Sequence, residues 1–170
     1  MSDPHSPLRL NVGFVVAQSA GFIRDFPLEI PQINLPPDLR LTELVGEIKV
    51  TRTPQGILLQ ASLQTYTELE CVRCLTSIQQ PLKINFTELY AFSQRFATES
   101  GLLMPESAII DLAPVLREYA VLEIPISPLC KPDCKGLCPI CGNNLNDSTC
   151  HHDDDSGDPR LASLKSLLDK

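Results

Sequence analysis

The sequence predicts an α+β fold, in which a mainly antiparallel sheet or a partly closed β-barrel carries one central helix, a cysteine-rich loop and a short C-terminal helix. Three observations support this class. Apolar and polar residues alternate through much of the first 92 residues, which is typical of half-buried strands. The apolar spacing changes to a helical period at 109–125, and five of the seven cysteines follow between 130 and 150.

Five segments have the composition or the alternation of β-strands. They are 8–16, 22–30, 39–53, 57–70 and 78–92. The proline-rich segment 31–37 is predicted as a break between strands. The turn signal TPQG at 53–56 joins two alternating segments, so 39–53 and 57–70 predict a β-hairpin that leads the chain directly to Cys71.

One helix is predicted at about 111–124, after a polar surface loop at 93–107. Five apolar residues of this segment fall at helical spacing: Leu112, Val115, Leu116, Tyr119 and Leu122. Asp111 is a suitable N-cap, and Pro114 would lie in the first turn, where its missing N–H costs little. Pro125 ends the helix.

A short C-terminal helix is predicted after Asp158, with Pro159 at its first helical position. Its apolar stripe consists of Leu161, Leu164, Leu167 and Leu168. We therefore divide the chain into a β-rich core at 1–128 and a cysteine-rich segment with the terminal helix at 129–170, together forming one integrated domain. Core packing is the simplest role for both leucine stripes.

Charge and composition exclude several classes of protein. A net charge of −7 over 170 residues argues against a broadly basic surface for nucleic acid, although a local basic patch is compatible with it. The sequence lacks a run of about 18 apolar residues and a secretory signal, so we expect no membrane partner and a cytoplasmic (or plastid stroma) location. In such reducing compartments, clustered cysteines more often bind metal or do redox work than form disulfides.

The cysteine pairs Cys71/Cys74 and Cys138/Cys141 have the Cys-x-x-Cys spacing, which lets two sulfurs face one ion from a tight turn. Gly142 can take the positive φ that such a knuckle needs. The alternative is a thioredoxin-type redox pair at CVRC. That motif opens a helix after a strand, whereas CVRC lies among strand-like segments.

Seven cysteines and one histidine provide eight ligands, enough for two tetrahedral zinc ions, and the cysteine-rich loop is therefore predicted to bind zinc. The first predicted site contains Cys71, Cys74, Cys130 and Cys134; the second contains Cys138, Cys141, Cys150 and His152, with His151 as an alternative ligand. A rival pairing joins the two knuckles around one ion.

ELECVRCL at 68–75, the segment 110–146 and DPRLASL at 158–164, in this order, resemble the YceD family, the large ribosomal RNA subunit accumulation proteins. The resemblance implies a ribosome-biogenesis factor needed for 23S ribosomal RNA to accumulate, in a family for which no catalytic reaction is established. It also supports separate sites, because some members of the family lack the CPICG segment. His152 departs from the pattern, because many relatives have a cysteine there.

Two further function classes stay open beside this one. A zinc-stabilised interaction module could dock a basic ribosomal protein with its acidic surface, and the cysteines could form a thiol redox sensor. Direct RNA contact would use Arg73, Lys131 and Lys135 beside the first site, with Arg52 and Lys83 nearby in sequence. We expect no enzyme activity and no small-molecule substrate. The partner implied by the resemblance is large-subunit ribosomal RNA or a pre-ribosomal particle.

Overall fold

The computed structural model describes residues 7–152, and its named strands form two antiparallel sheets. In chain order the elements are β1 Arg9–Asn11, α1 Gly13–Val16, β2 Ile23–Leu35, β3 Leu39–Arg52, β4 Gly56–Glu70, β5 Ser77–Ala91, β6 Ile109–Asp111 and α2 Ala113–Glu123. Strands β2 to β5 form a four-stranded meander, and β1 pairs separately with β6. The predicted polar loop contains a short 3-10 helix, Gln94–Phe96. Within 7–152, no helix is long and apolar enough to span a membrane.

The predicted hairpin is confirmed, since β3 and β4 pair antiparallel across the turn that precedes Gly56. Strand β4 then pairs with β5 in continuous register, from Gly56 opposite Ala91 to Glu70 opposite Ser77. The register leaves residues 71–76 as the loop at the far end of this second hairpin, so the first cysteine pair projects from the tip of two long strands.

One face of the sheet is buried, as period-two alternation predicts. The buried side chains of β3 and β4 include Leu44, Ile48, Val50, Leu59, Ala61, Leu63, Thr65 and Thr67. The sheet is open rather than a partly closed barrel, because the described strands β2 and β5 are its two edges and do not pair with each other. Pro27 and Pro31 in β2 and Pro81 in β5 lack a donor for a further ladder, which suits an edge position.

One strand prediction and one break prediction in the N-terminal part are only partly correct. Segment 8–16 forms only the short strand β1, because the Asn11 side chain accepts a hydrogen bond from the Gly13 N–H at 3.0 Å and the chain turns into α1. The proline-rich segment 31–37 is not a break throughout, since β2 continues to Leu35. An edge strand tolerates the prolines that led to this prediction.

A helix is present where the sequence predicts one, but its capping differs. The N-cap of α2 is Leu112, whereas the predicted cap Asp111 ends β6 and accepts the Ala113 N–H through its carboxylate at 3.0 Å. Pro114 lies in the first turn, as predicted. The helix packs mainly on the edge strand β5, where Tyr119 stacks on Phe86 with ring centroids 5.1 Å apart. Its description as a central helix is not confirmed. The predicted C-terminal helix lies outside the described residues.

Candidate metal centre

The first Cys-x-x-Cys pair forms a tight turn at the end of the β4–β5 hairpin. The Cys71 N–H donates to the Thr76 carbonyl at 2.9 Å, and the Leu75 N–H donates to the Cys71 carbonyl at 2.9 Å. Leu75 has a φ of 58°, in the left-handed region that glycine occupies at little cost. Cys71 and Cys74 are both buried.

The second pair repeats the turn of the first. The Cys138 N–H donates to the Asn143 carbonyl at 2.8 Å, and the Gly142 N–H donates to the Cys138 carbonyl at 2.9 Å. Gly142 has a φ of 73°, so the positive φ predicted from its place after the knuckle is confirmed. Two segments remote in sequence therefore form matching knuckles. Both turns close with a left-handed residue directly after the second cysteine.

The chain that follows α2 brings two more cysteines to the first knuckle. The Val72 N–H donates to the Pro128 carbonyl at 3.0 Å, which lays the segment after the helix along the knuckle. Cys71 Sγ then lies 3.8 Å from Cys134 Sγ, and Cys74 Sγ lies 3.5 Å from Cys130 Sγ. All four sulfurs lie within 4.8 Å of one another, and we name this group site 1. Cys130 is its exposed member.

A second group forms around the second knuckle, which we name site 2. It contains Cys138, Cys141, Cys150 and His152, whose ligand atoms also lie within 4.8 Å of one another. Cys141 Sγ is 3.4 Å from Cys150 Sγ and 3.2 Å from His152 Nε2. His151, the alternative ligand, belongs to neither group. The two knuckles lie in different groups, so the rival pairing around one shared ion does not correspond to this arrangement.

The sulfur spacing fits a tetrahedral zinc ion in both groups. A zinc–sulfur bond of about 2.3 Å places the corners of a tetrahedron about 3.8 Å apart, close to the distances of 3.8 and 3.5 Å in site 1. The same distances are far longer than a disulfide bond, and all seven cysteines are free thiols. Four sulfurs, or three sulfurs and an imidazole, are typical donor sets of structural zinc. Both groups could therefore bind a metal, and ligation by these residues stays a prediction.

Each group contains a thiol whose pKa is lowered by main-chain hydrogen bonds. Burial raises the pKa of Cys71, but main-chain hydrogen bonds involving Cys130, Cys74 and Arg73 outweigh it and lower the pKa to about 6. Main-chain hydrogen bonds from the second knuckle likewise lower the pKa of Cys138 to about 6. Main-chain N–H groups that stabilise a thiolate also favour metal binding, because the metal ligand is the thiolate.

Another thiol in each group is made less acidic. Although Cys130 as a residue is exposed, desolvation of its sulfur, followed by the neighbouring thiols of site 1, raises its pKa to about 12. The Cys141 side chain, followed by burial, raises the pKa of Cys150 to about 11. A metal ion must therefore displace protons from these two thiols when it binds.

Sequence reasoning missed Asn146, whose side-chain Nδ2 donates to Cys134 Sγ at 3.3 Å. It also missed Thr76, which follows the first knuckle; hydrogen bonds between Cys74 and the side chain and main chain of Thr76 lower the pKa of Cys74. No spacing rule identifies such residues, because they contact the ligands only after the loops have folded. For Thr76, its position two residues after Cys74 is a local signal that could have identified it as a hydrogen-bond partner of that thiol.

The three basic residues predicted to contact RNA lie next to ligands of site 1. Lys131 and Lys135 are exposed neighbours of Cys130 and Cys134, and Arg73 donates to the Cys134 carbonyl at 2.9 Å. Arg52 is not part of this group, because it ends β3 opposite Ile57 at the start of β4, about 45 Å along the sheet from the knuckle that follows β4. There it donates to the Val16 carbonyl and stacks over Phe92.

Lys83 also lies away from site 1. It pairs with Gln64 in the middle of the hairpin, on the exposed face of the sheet. The local basic patch around site 1 therefore consists of Arg73, Lys131 and Lys135, and RNA contact by these residues stays a prediction.

Comparison with known proteins identifies relatives in bacteria and chloroplasts. The chain is 33% identical to an uncharacterised protein of Mycobacterium tuberculosis over 128 residues, which cover 72% of this chain and 60% of that relative. It is 31% identical to the uncharacterised protein YlbN of Bacillus subtilis over 102 residues, which cover 59% of each chain. The match thus spans about 60% of the length of these relatives. No solved structure matches the chain significantly.

Two plant relatives, one from maize and one from Arabidopsis thaliana, have the same name. A maize protein named large ribosomal RNA subunit accumulation protein YCED homolog 1, chloroplastic, is 49% identical over 37 residues, which cover 22% of this chain and 13% of the relative. A model of the family described as large ribosomal RNA subunit accumulation protein YceD matches residues 59–168, a range that includes the cysteines of both candidate sites. The chain therefore belongs to the YceD family of large ribosomal RNA subunit accumulation proteins.

Proposed function

We propose that the chain is a zinc-stabilised, non-enzymatic factor that supports the accumulation or processing of 23S ribosomal RNA in the large subunit. The observation that carries this proposal is the family match over residues 59–168, together with the names of the plant relatives. The chain would act in the bacterial cytoplasm or the plastid stroma, the compartments suggested by bacterial and chloroplastic relatives.

Zinc in this proposal has a structural role at both sites. The sets Cys71, Cys74, Cys130, Cys134 and Cys138, Cys141, Cys150, His152 would each complete a tetrahedron with protein atoms. Such a closed site leaves no open position for a catalytic water. Site 1 would join the tip of the β4–β5 hairpin to the segment after α2, and so would hold the β-rich core and the cysteine-rich segment together as one integrated domain.

Direct contact with RNA would use the basic patch around site 1. Lys131 and Lys135 are exposed, and the Arg73 guanidinium is held along the knuckle by its bond to the Cys134 carbonyl. Lysine and arginine bind phosphates regardless of base, so this patch would dock the protein on RNA rather than read a sequence.

A second candidate function, docking of a basic ribosomal protein, is favoured by exposed apolar side chains near site 1. Val72 and Leu75 in the first knuckle are 53% and 60% exposed, and Ile126 before Cys130 is 99% exposed. Apolar residues in such positions are typical of protein interfaces. The net charge of −7 would attract a basic partner.

A filter-binding assay with 23S fragments across a salt series separates the two candidates. Direct RNA contact predicts a steep salt dependence, and K131A/K135A should lower the slope by roughly 0.7–0.9 per lost phosphate contact. The matched control K49A/K83A removes two lysines from the exposed face of the sheet and should leave the slope unchanged. Equal slopes for both double variants would exclude the basic patch as the RNA contact.

Capture of the protein from cells, with RNA sequencing and protein identification, tests the wider proposal. Enrichment of large-subunit RNA or its precursor particle supports it. Recovery of a ribosomal protein whose association persists after nuclease treatment favours protein docking.

The third class, a thiol redox sensor, would be favoured if the protein lost stability and function only under peroxide.

A further inference from the structure

Asn146 connects the two candidate metal sites. In the chain it lies between Cys141 and Cys150, two members of site 2. In space its side-chain Nδ2 donates to Cys134 Sγ of site 1 at 3.3 Å. A residue of the site 2 loop is therefore in direct contact with a sulfur of site 1.

The orientation of the Asn146 amide is determined by its other hydrogen bonds. Its Oδ1 accepts the Lys135 main-chain N–H at 3.0 Å, so the NH₂ group must face the opposite way, toward Cys134. The second Nδ2 hydrogen is directed at Asn144 Oδ1 at 2.7 Å, and the same oxygen accepts the Asn146 N–H at 3.0 Å. Both Nδ2 hydrogens and the Oδ1 oxygen of this amide are thus hydrogen-bonded.

The site 2 loop places this amide by folding back on the chain between the two sites. The Leu145 N–H donates to the Gly136 carbonyl at 2.9 Å, and Leu137 forms an isolated antiparallel bridge with Asn144. Gly136 itself lies against the first knuckle, because its φ is 77° and an added Cβ would lie 3.1 Å from the Arg73 carbonyl oxygen. The loop that closes site 2 therefore also holds the Asn146 amide in contact with Cys134 of site 1.

We propose that Asn146 is a positioning residue that couples the two sites, so that metal in site 2 raises the metal affinity of site 1. This inference rests on the proposed binding of zinc at both sites. A hydrogen bond to a metal-bound thiolate stabilises its negative charge, and such outer-shell partners typically change metal affinity by roughly 10–100-fold. Metal in site 2 would order the loop between Cys141 and Cys150. The conformational entropy lost in fixing Asn146 against Cys134 would then already be paid before site 1 binds its ion, and site 1 would bind more tightly.

The test compares N146D with N143D in the full-length protein. N146D replaces the NH₂ donor by a charged oxygen of almost the same size, which faces the Cys134 sulfur. N143D introduces the same charge in the same loop at an exposed residue whose main-chain carbonyl, not its side chain, accepts the Cys138 N–H. Cadmium-113 NMR resolves four-sulfur from three-sulfur–nitrogen sites, and chelator competition then gives the affinity of each site.

We expect N146D to weaken metal binding at site 1 by roughly 10–100-fold, with a change of less than about 3-fold in N143D. Asn146→Ala removes the donor without adding a charge and should weaken site 1 by about 10-fold. This variant carries the test if N146D fails to fold. In a C138S background, where site 2 is lost, site 1 should already be weakened and N146D should add much less than it does alone.

The possible outcomes separate this inference from the proposed function. Two loaded sites with equal site 1 affinity in N146D, N143D and the unaltered protein would overturn the coupling and leave the zinc proposal intact. Additive losses in N146D/C138S would show a local effect at Cys134 and no coupling to site 2. Failure of the unaltered protein to bind metal at either site would overturn both.

Discussion

At the scale of single residues, the two knuckles differ at the position after their second cysteine. Both knuckles need a left-handed residue there, with φ values of 58° at Leu75 and 73° at Gly142. A left-handed conformation costs a non-glycine residue roughly 1–2 kcal/mol, and Leu75 is 60% exposed, so little packing offsets this cost. Leucine at position 75 therefore makes the folded protein less stable than glycine would at the same position.

Leu75→Gly should stabilise the zinc-loaded protein by up to about 1 kcal/mol, because the relief of backbone strain exceeds the entropy that glycine adds to the unfolded chain. Thermal unfolding measures the effect. The matched change Gly142→Ala should destabilise by about 1 kcal/mol, since an added Cβ meets no atom within 4 Å and only backbone strain opposes it. A lower Tm for Leu75→Gly would mean that the leucine side chain stabilises the fold.

Zinc affinity should rise with pH, because metal-bound thiols must lose their protons. The pKa values of Cys130 and Cys150 in the metal-free protein are about 12 and about 11, so each gives up a proton on binding near neutral pH. The pKa values of Cys71 and Cys138 are about 6, so these thiols add to the pH dependence only below that pH. We expect a rise of at least about tenfold per pH unit between pH 7 and 8, steeper below pH 6. Competition with a chelator of known pH dependence measures it, and a flat profile would contradict proton displacement.

At the scale of elements, the knuckles are turns that depend little on each other for their shape. The first is the end loop of the β4–β5 hairpin, and the second closes its own matching hydrogen bonds at Cys138. Each knuckle also takes its two remaining ligand candidates from a different part of the chain, residues 130–134 for the first and 150–152 for the second. Separate loss of the two metal ions follows from this arrangement.

The purified protein should contain two zinc ions, and Cys138→Ser should contain one. The retained ion should be held by Cys71, Cys74, Cys130 and Cys134, although the coupling through Asn146 should make it easier to remove with a chelator. Elemental analysis of protein prepared without chelator gives the stoichiometry. One ion or fewer in the unaltered protein, or loss of both ions from a folded Cys138→Ser variant, would argue against two separate sites.

At the scale of the whole molecule, site 1 closes a much longer loop than site 2. It joins Cys74 to Cys130, 56 residues apart, whereas site 2 joins Cys141 to Cys150, nine residues apart. In the chain-entropy model of cross-links, closure of these loops contributes about 4 and about 2.5 kcal/mol respectively. Against a typical net stability of about 5–15 kcal/mol, site 1 is the larger contribution to the fold.

Cys71→Ser should therefore lower the Tm far more than Cys150→Ser. Burial adds to the difference, because Cys71 is fully buried where the hairpin meets the segment after α2, whereas Cys150 is partly exposed. Calorimetry of both variants with saturating zinc measures the two shifts. Equal shifts, or none for Cys71→Ser, would contradict a structural role for site 1, and a stable Cys71→Ser variant that lost a peroxide response would indicate redox chemistry.

The sequence by itself determined the features that depend on neighbouring residues. Alternation along β3 and β4 predicted their hairpin, the helical period predicted α2 to within two residues, and Cys-x-x-Cys followed by Gly142 predicted a knuckle with a positive φ. These signals are local, because side-chain periodicity and turn chemistry act over a few residues. The same spacing at Cys71 predicted the first knuckle although Leu75 replaces the glycine.

The tertiary structure decided which distant segments meet. It placed Cys130 and Cys134 at the first knuckle, because the chain after α2 hydrogen-bonds along that loop, and it moved Arg52 to the far end of the sheet. It left the sheet open, with prolines in its edge strands, where the sequence allowed a barrel or a break. Asn146 contacts Cys134 only because the site 2 loop folds back, and no local pattern encodes a contact between segments that docking alone brings together.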